Sequence, residues 1–233
     1  MVSTRPLLAF VAARAQGRPL LFGAARQCTT LYSAAGDGKP QPKFKVLGRD
    51  LAYSGWRKIV KKTVRFEDEK EHVFDVVHQE EPSVVVLVWH TDSKTLTLIK
   101  EFAPGREEVS YGVVAGMYEK NKHDSPLQAA KYELEEEAHL LGGTWHALCD
   151  DADTTINADK YSNNEFYCWL VVDPHVTLTP RALDDEESIE IKRGLTMKQV
   201  TSMLTSGKLS IVSSFVFLMG TRKLRELGLI EDY

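Results

Sequence analysis

Glu133, Glu136 and Glu137 stand at i, i+3 and i+4 in the stretch 124–141, DSPLQAAKYELEEEAHLL. At about 100° per residue on a helix, these three carboxylates fall within an arc of roughly 100°. Carboxylates so close repel one another unless a cation sits among them. Hard divalent ions such as Mg²⁺ take oxygen ligands of this kind and arrive together with substrate phosphates. The spacing therefore points to a divalent-metal site for phosphate chemistry. The plainer reading is a solvated acidic helix face, the commoner origin of a run like ELEEE.

A helix must position those carboxylates, and the stretch 124–141 reads as one. Leu127, Ala130, Leu134, Ala138 and Leu141 recur at steps of three and four and form an apolar face. Ser125 suits the N-cap, Pro126 the first helical position and Gln128 the far corner of a capping box, while Gly142-Gly143 supplies the stop. Before the helix, Ser83 to Trp89 is a continuous apolar run, expected to be a buried strand. Thr95 to Ile99 pairs back on it across the turn His90–Lys94, and the segment Tyr111 to Gly116 ends on a glycine. After the helix, Gly143 to Leu148 and Glu165 to Val172 read as strands. The long polar segment between them, Asp150 to Asn164, has the character of a lid. Thr196 to Ser206 and Ser210 to Leu227 read as two closing helices.

The spacing from Gly116 to Leu140 resembles the Nudix box. In that family a glycine, five residues, a glutamate and seven residues lead into Arg-Glu-U-x-Glu-Glu-x-Gly-U, with U a bulky apolar residue. Glu133, Leu134, Glu136, Glu137 and Leu140 match position for position. Tyr132 stands where the family has arginine, His139 where it has glycine and Asp124 where it has the first glutamate, and the glycine-to-acid loop is two residues longer. A tyrosine supplies one hydrogen bond and no cation. The order of segments also resembles the ADP-ribose pyrophosphatase branch. Phe102, Pro104, Ala115 and Gly116 fit that branch. Gly112 replaces a metal-holding glutamate and Ala103 a substrate-contacting arginine.

The resemblance implies an α/β fold, a Nudix α/β/α sandwich with a mixed β-sheet and a small N-terminal β subdomain. It implies Mg²⁺ or Mn²⁺ held by Glu133, Glu136 and Glu137, with the Ala115 carbonyl as a further ligand. The catalytic base would be Glu133 or a late glutamate from the acidic segment Leu183–Ile191, where Glu186 and Glu187 are equal candidates.

Residues 1–36 hold four arginines (Arg5, Arg14, Arg18, Arg26) and no acid, as a mitochondrial transit peptide would. Its removal takes away four of the 29 basic residues and none of the 33 acidic ones, leaving a net charge near −8. Such an acidic chain is a poor nonspecific nucleic-acid binder on its own. Residues 37–80 are expected to be a linker and the small β subdomain, and 81–233 the Nudix hydrolase domain. Arg57 to Arg65 carries five cations, read as a solvated strand face or as a ribbon that tracks phosphates or a partner. No apolar run is long enough to cross a membrane. The cysteines Cys28, Cys149 and Cys168 lack metal spacing and read as reduced thiols.

An organellar leader with a degenerate box and an altered pocket is similar to mitochondrial mRNA-stability factors of the family. That likeness implies removal of pyrophosphate from 5′-triphosphate RNA ends in the mitochondrial matrix. An RNA-binding protein would be the partner, within an RNA-processing complex, and a homodimer is compatible with the branch. The alternatives are a pyrophosphatase for ADP-ribose or another dinucleotide, and a catalytically weak nucleotide-binding scaffold subunit.

Overall fold

A computed structural model describes residues 43–183 and 188–231. The leader expected over residues 1–36 and the acidic pair Glu186 and Glu187 lie outside the described residues.

Three antiparallel strands open the described chain: β1 (Phe44–Ser54), β2 (Lys58–Phe66) and β3 (Glu71–His78), in the order β1-β2-β3. A larger mixed sheet follows. Its spine is β4 (Ser83–His90) and β5 (Thr95–Ala103), with the short strands β6 (Glu108–Gly112) on β5 and β7 (Val114–Met117) on β4. Helix α1 (Pro126–Ala138) comes next, then β8 (Leu140–Leu141), β9 (Thr144–Ala147), β10 (Thr155–Asn157), β11 (Glu165–Val172), β12 (His175–Val176) and β13 (Glu190–Thr196). Helices α2 (Met197–Thr205) and α3 (Ile211–Glu226) close the fold. The path β10-β11-β4-β5-β13 is antiparallel except where β11 runs parallel to β4.

The central strand explains the three layers. Successive side chains of a strand point to opposite faces. On β4, Val85, Leu87 and Trp89 pack with Val200 of α2 and Val216, Phe217 and Leu224 of α3. The alternate residues Val84, Val86 and Val88 pack with Ala129, Ala130, Leu134 and Ala138 of α1. A run with no polar alternation is what a strand covered on both sides requires. The result is α1, sheet, then α2 and α3: the expected α/β/α sandwich. No described helix is long and apolar enough to cross a membrane.

Helix α1 differs from its expected span at the C-terminal end. The apolar spacing reaches Leu141, but the helix ends at Ala138, because His139 takes a left-handed conformation with φ 54°. Leu140 and Leu141 turn away to pair with His175 and Val176, and Leu140 is fully buried there. At the other end, Ser125 Oγ accepts from Gln128 N at 3.2 Å, as expected of an N-cap. The return bond of the box shifts by one residue: Gln128 Oε1 accepts from Asp124 N at 2.6 Å.

The five cations of 57–65 do not form one stripe. Lys58 and Lys62 share one face of β2, Lys61 and Arg65 the other. Lys58 pairs with Glu80, and Arg65 with Glu71 at 2.6 Å. Lys61 lies between Asp50 and Asp75 on the flanking strands. Lys62 faces a like charge across the ladder, Arg49, as Arg65 faces Lys45; burial and Arg49 together hold the Lys62 pKa below the ordinary lysine value.

The segment Asp150 to Asn164 is pinned at its far end. Val77 N donates to Tyr161 O at 2.8 Å, Gln79 N to Asn163 Oδ1 at 2.8 Å, and Asn163 Nδ2 to Gln79 O at 2.9 Å. Its last residues therefore join the small sheet to the main one instead of forming a free lid. Cys149 and Cys168 are both unbridged, and burial pushes the Cys168 thiol well above its usual range.

Candidate metal and phosphate site

The acidic face of α1 lies against β7. Glu137 belongs to the buried set of the helix and is only 3% exposed. A carboxylate taken that far from water needs a donor, and it has one: Ala115 N donates to Glu137 Oε2 at 2.9 Å. Such charge-assisted bonds are among the stronger ones and fix the carboxylate's direction. Next to it, Glu133 reaches the backbone of Gly116. A β-carbon on residue 116 would stand 2.5 Å from Glu133 Oε2 and closer still to the rest of the carboxylate. Gly116 is thus a glycine because the acid occupies the space of a side chain. Glu136, half-buried, follows on the same arc. Glu133, Glu136 and Glu137 each have further partners in the structure. Among the described residues no three acid, imidazole or thiol groups stand close enough together to form a ready-made cation cage. In chemistry, however, Glu133 and Glu137 against the β7 backbone, with Glu136 on the same helix arc, are oxygen donors of the kind a hard divalent ion takes.

The flank of the helix holds a cation that is not legible from local spacing. The Arg181 guanidinium lies over the Tyr132 ring, 3.6 Å from its centroid, and Arg181 Nε donates to Glu135 Oε2 at 3.0 Å. His123 also meets that ring, edge-on at 5.5 Å between centroids. A second arginine, Arg193 on β13, donates from Nη2 to the carbonyl of Ala138 at 2.7 Å and so caps the end of α1.

Around Gly112 a neighbouring strand supplies a carboxylate. A β-carbon on residue 112 would have Glu101 Oε1 of β5 at 3.9 Å. Burial pushes the Glu101 carboxyl above its ordinary pKa. Glu101 is therefore an acid near the place where the branch carries its own, although no motif marks it.

Sequence comparison bears directly on this arrangement. The profile of the NUDIX domain matches residues 79–213, more than half of the chain. The chain belongs to the Nudix family. Members of that family are hydrolases of phosphoanhydride bonds. No curated protein matches the sequence. Among solved structures, the crystal structure of an ADP compounds hydrolase is similar in fold, with a TM-score of 0.67 and 17% identity over 82% of this chain and 100% of that one.

The structure shows what surrounds two departures from the Nudix box. The glycine of the box falls at residue 139, which is the left-handed cap of α1. Its N–H donates to Glu135 O at 3.1 Å, and its carbonyl accepts from Thr177 N at 3.0 Å. Glycine takes this conformation without strain, whereas a residue with a β-carbon pays about 1 kcal/mol. Replacing His139 by glycine should therefore raise the unfolding free energy by about 0.5–1 kcal/mol, measured by urea unfolding; a loss of stability would show that the imidazole holds the turn. The arginine of the box falls at Tyr132, whose ring carries Arg181 instead.

Proposed function

We propose that this Nudix protein is a divalent-metal-dependent pyrophosphohydrolase of nucleoside diphosphate derivatives, and that ADP-linked compounds are its substrate class. The observation that carries the reading is the pairing of Glu133 with the bare backbone of Gly116 and of Glu137 with Ala115 N–H. Glu133, Glu136 and Glu137 would hold Mg²⁺ or Mn²⁺. The Ala115 carbonyl leaves the strand on the same edge as its N–H and so toward the same carboxylate. When bound, the ion supplies neutralisation of the pyrophosphate charge and a water of lowered pKa. The chain's own residues do the rest. Gly116 admits the carboxylate, and Ala115 N–H aims its neighbour. A glutamate, one of the helix trio or Glu186 or Glu187, takes the proton of the attacking water. One water is consumed, one bridging P–O bond breaks, and two phosphate monoesters leave.

A second reading, removal of pyrophosphate from RNA 5′ ends in the mitochondrial matrix with an RNA-binding partner, has one observation in its favour. Arg49 and Lys62 face each other across β1 and β2, two like charges that an anion would reconcile. Because the other cations of β2 are divided between its faces or paired with acids, this supports contact with a single phosphate better than a tracked strand.

The test is hydrolysis by purified protein in Mg²⁺ or Mn²⁺. ADP-ribose should yield AMP and ribose 5-phosphate with kcat/KM of about 10⁴ M⁻¹s⁻¹ or more. Pyrophosphate release from triphosphate-ended RNA, with ADP-ribose untouched, would favour the second reading. Nucleotide binding without any turnover would leave a scaffold.

A further inference from the structure

We infer that Arg181 is a positioning residue for the acidic face of α1, that Tyr132 is its seat, and that the two together replace the arginine absent from the box. The inference rests on the reading of Glu133, Glu136 and Glu137 as the metal-holding trio. The geometry is specific. The guanidinium stacks on the ring face at 3.6 Å while its Nε is hydrogen-bonded to Glu135 at 3.0 Å. The Glu135 side chain is 17% exposed and that of Arg181 43%, so the carboxylate end of the pair is shielded while the guanidinium, stacked on the ring, still meets solvent. Four carboxylates lie within residues 133–137. The cation takes Glu135, the one acid outside the trio, and holds it on the flank, where it neither competes for a metal nor adds to repulsion among the other three. A planar guanidinium suits both tasks at once, since it stacks on an aromatic face and still presents its N–H edge to a carboxylate.

The consequence is counterintuitive. Putting the family's arginine back at residue 132 would remove the ring on which Arg181 stacks and set a second guanidinium in its place, two like charges side by side. The substitution that restores the box should therefore damage this protein. Tyr132→Arg is expected to lower kcat at least tenfold, and Tyr132→Arg combined with Arg181→Ala to recover most of that loss. Tyr132→Leu should behave like Arg181→Ala, whereas Tyr132→Phe, which keeps the ring face, should stay within about twofold of the wild type. Arg181→Ala should also separate two quantities that a collapsed structure would move together. Mn²⁺ binding, followed by electron paramagnetic resonance on the protein without substrate, should tighten by roughly two- to fivefold as a nearby positive charge is removed, while kcat falls about tenfold or more.

Three results would overturn the inference. One is Tyr132→Arg equalling or exceeding the wild type with Arg181 present. Another is Tyr132→Phe failing as Tyr132→Leu does. The third is Mn²⁺ affinity weakening in Arg181→Ala. If the wild type hydrolyses its substrate and binds Mn²⁺ in any of these cases, only the role of Arg181 is lost. A wild type that binds no Mn²⁺ would remove the metal reading itself, and this inference with it.

Discussion

Gly116→Ala is expected to fold normally and to lose hydrolysis by a factor of about 100 or more. The two halves of that result have separate causes. The new methyl group would overlap the Glu133 carboxylate, with Oε2 at 2.5 Å and the other carboxylate atoms nearer. What it displaces is the far end of a flexible side chain, and Glu133 can rotate away at small cost. Residue 116 also has no positive φ, so alanine brings no backbone strain. The fold should therefore lose no more than about 1 kcal/mol, a typical value for a tolerated substitution. The carboxylate cannot move by an ångström or more and keep its place in a metal sphere, because hard-cation geometry is set at the 0.1 Å level. Steady-state kinetics and a thermal melt on the same preparation would check both halves. Turnover within threefold of the wild type would take Glu133 out of the site.

The second large effect is expected from Glu136→Gln together with Glu137→Gln. Turnover should fall by about 10³-fold or more, as befits loss of two ligands. Metal-free stability should hold or rise slightly. Glutamine at 137 still offers an oxygen to Ala115 N–H, so the buried bond survives, and removing like charges relieves a few tenths of a kcal/mol per pair. Added Mg²⁺ should then distinguish the two proteins. A ligand at ten times its Kd stabilises the folded state by about 1.4 kcal/mol, and this increment should be present in the wild type and absent in the variant. Equal shifts in melting temperature would put the metal elsewhere.

How much of this was legible in the sequence depended on whether the determining contacts were local. The continuous apolar run of β4 marked a strand covered on both faces, and Ser125, Pro126 and Gln128 marked the start of α1, because caps and strand burial are decided by residues close in the chain. The end of α1 was misplaced by three residues: Leu141 keeps helical spacing, and nothing in a histidine announces a left-handed cap. The family glycine at that position was the one available clue. The placing of Glu133, Glu136 and Glu137 on one arc of a helix was legible, but the burial of Glu137 was not, since it depends on β7 lying across the helix. Arg181 is 46 residues from Glu135. Tyr132 showed only that the box lacks its cation, and no spacing rule could bring Arg181 to it. The basic stretch 57–65 left two readings open, a solvated strand face or a ribbon, for a different reason. Its charges cluster in sequence, and period-two alternation divides them between two faces in space.

The bond between Gln79 and Asn163 spans 84 residues and is the kind of contact that fastens the three-stranded sheet to the rest. Strands β1, β2 and β3 are joined by neighbouring turns and can pair as soon as they emerge from a ribosome, while β4 waits for its parallel neighbour β11, which begins at Glu165. Synthesis must therefore pass residue 165 before the main sheet is joined to the small one, a delay of about 4–17 s beyond Gln79 at 5–20 residues per second. Helix α1 can cover Val84, Val86 and Val88 before that, but the opposite face, Val85, Leu87 and Trp89, stays bare until α2 and α3 follow from Met197 on. Over that longer interval the nascent chain most needs a chaperone to shield it.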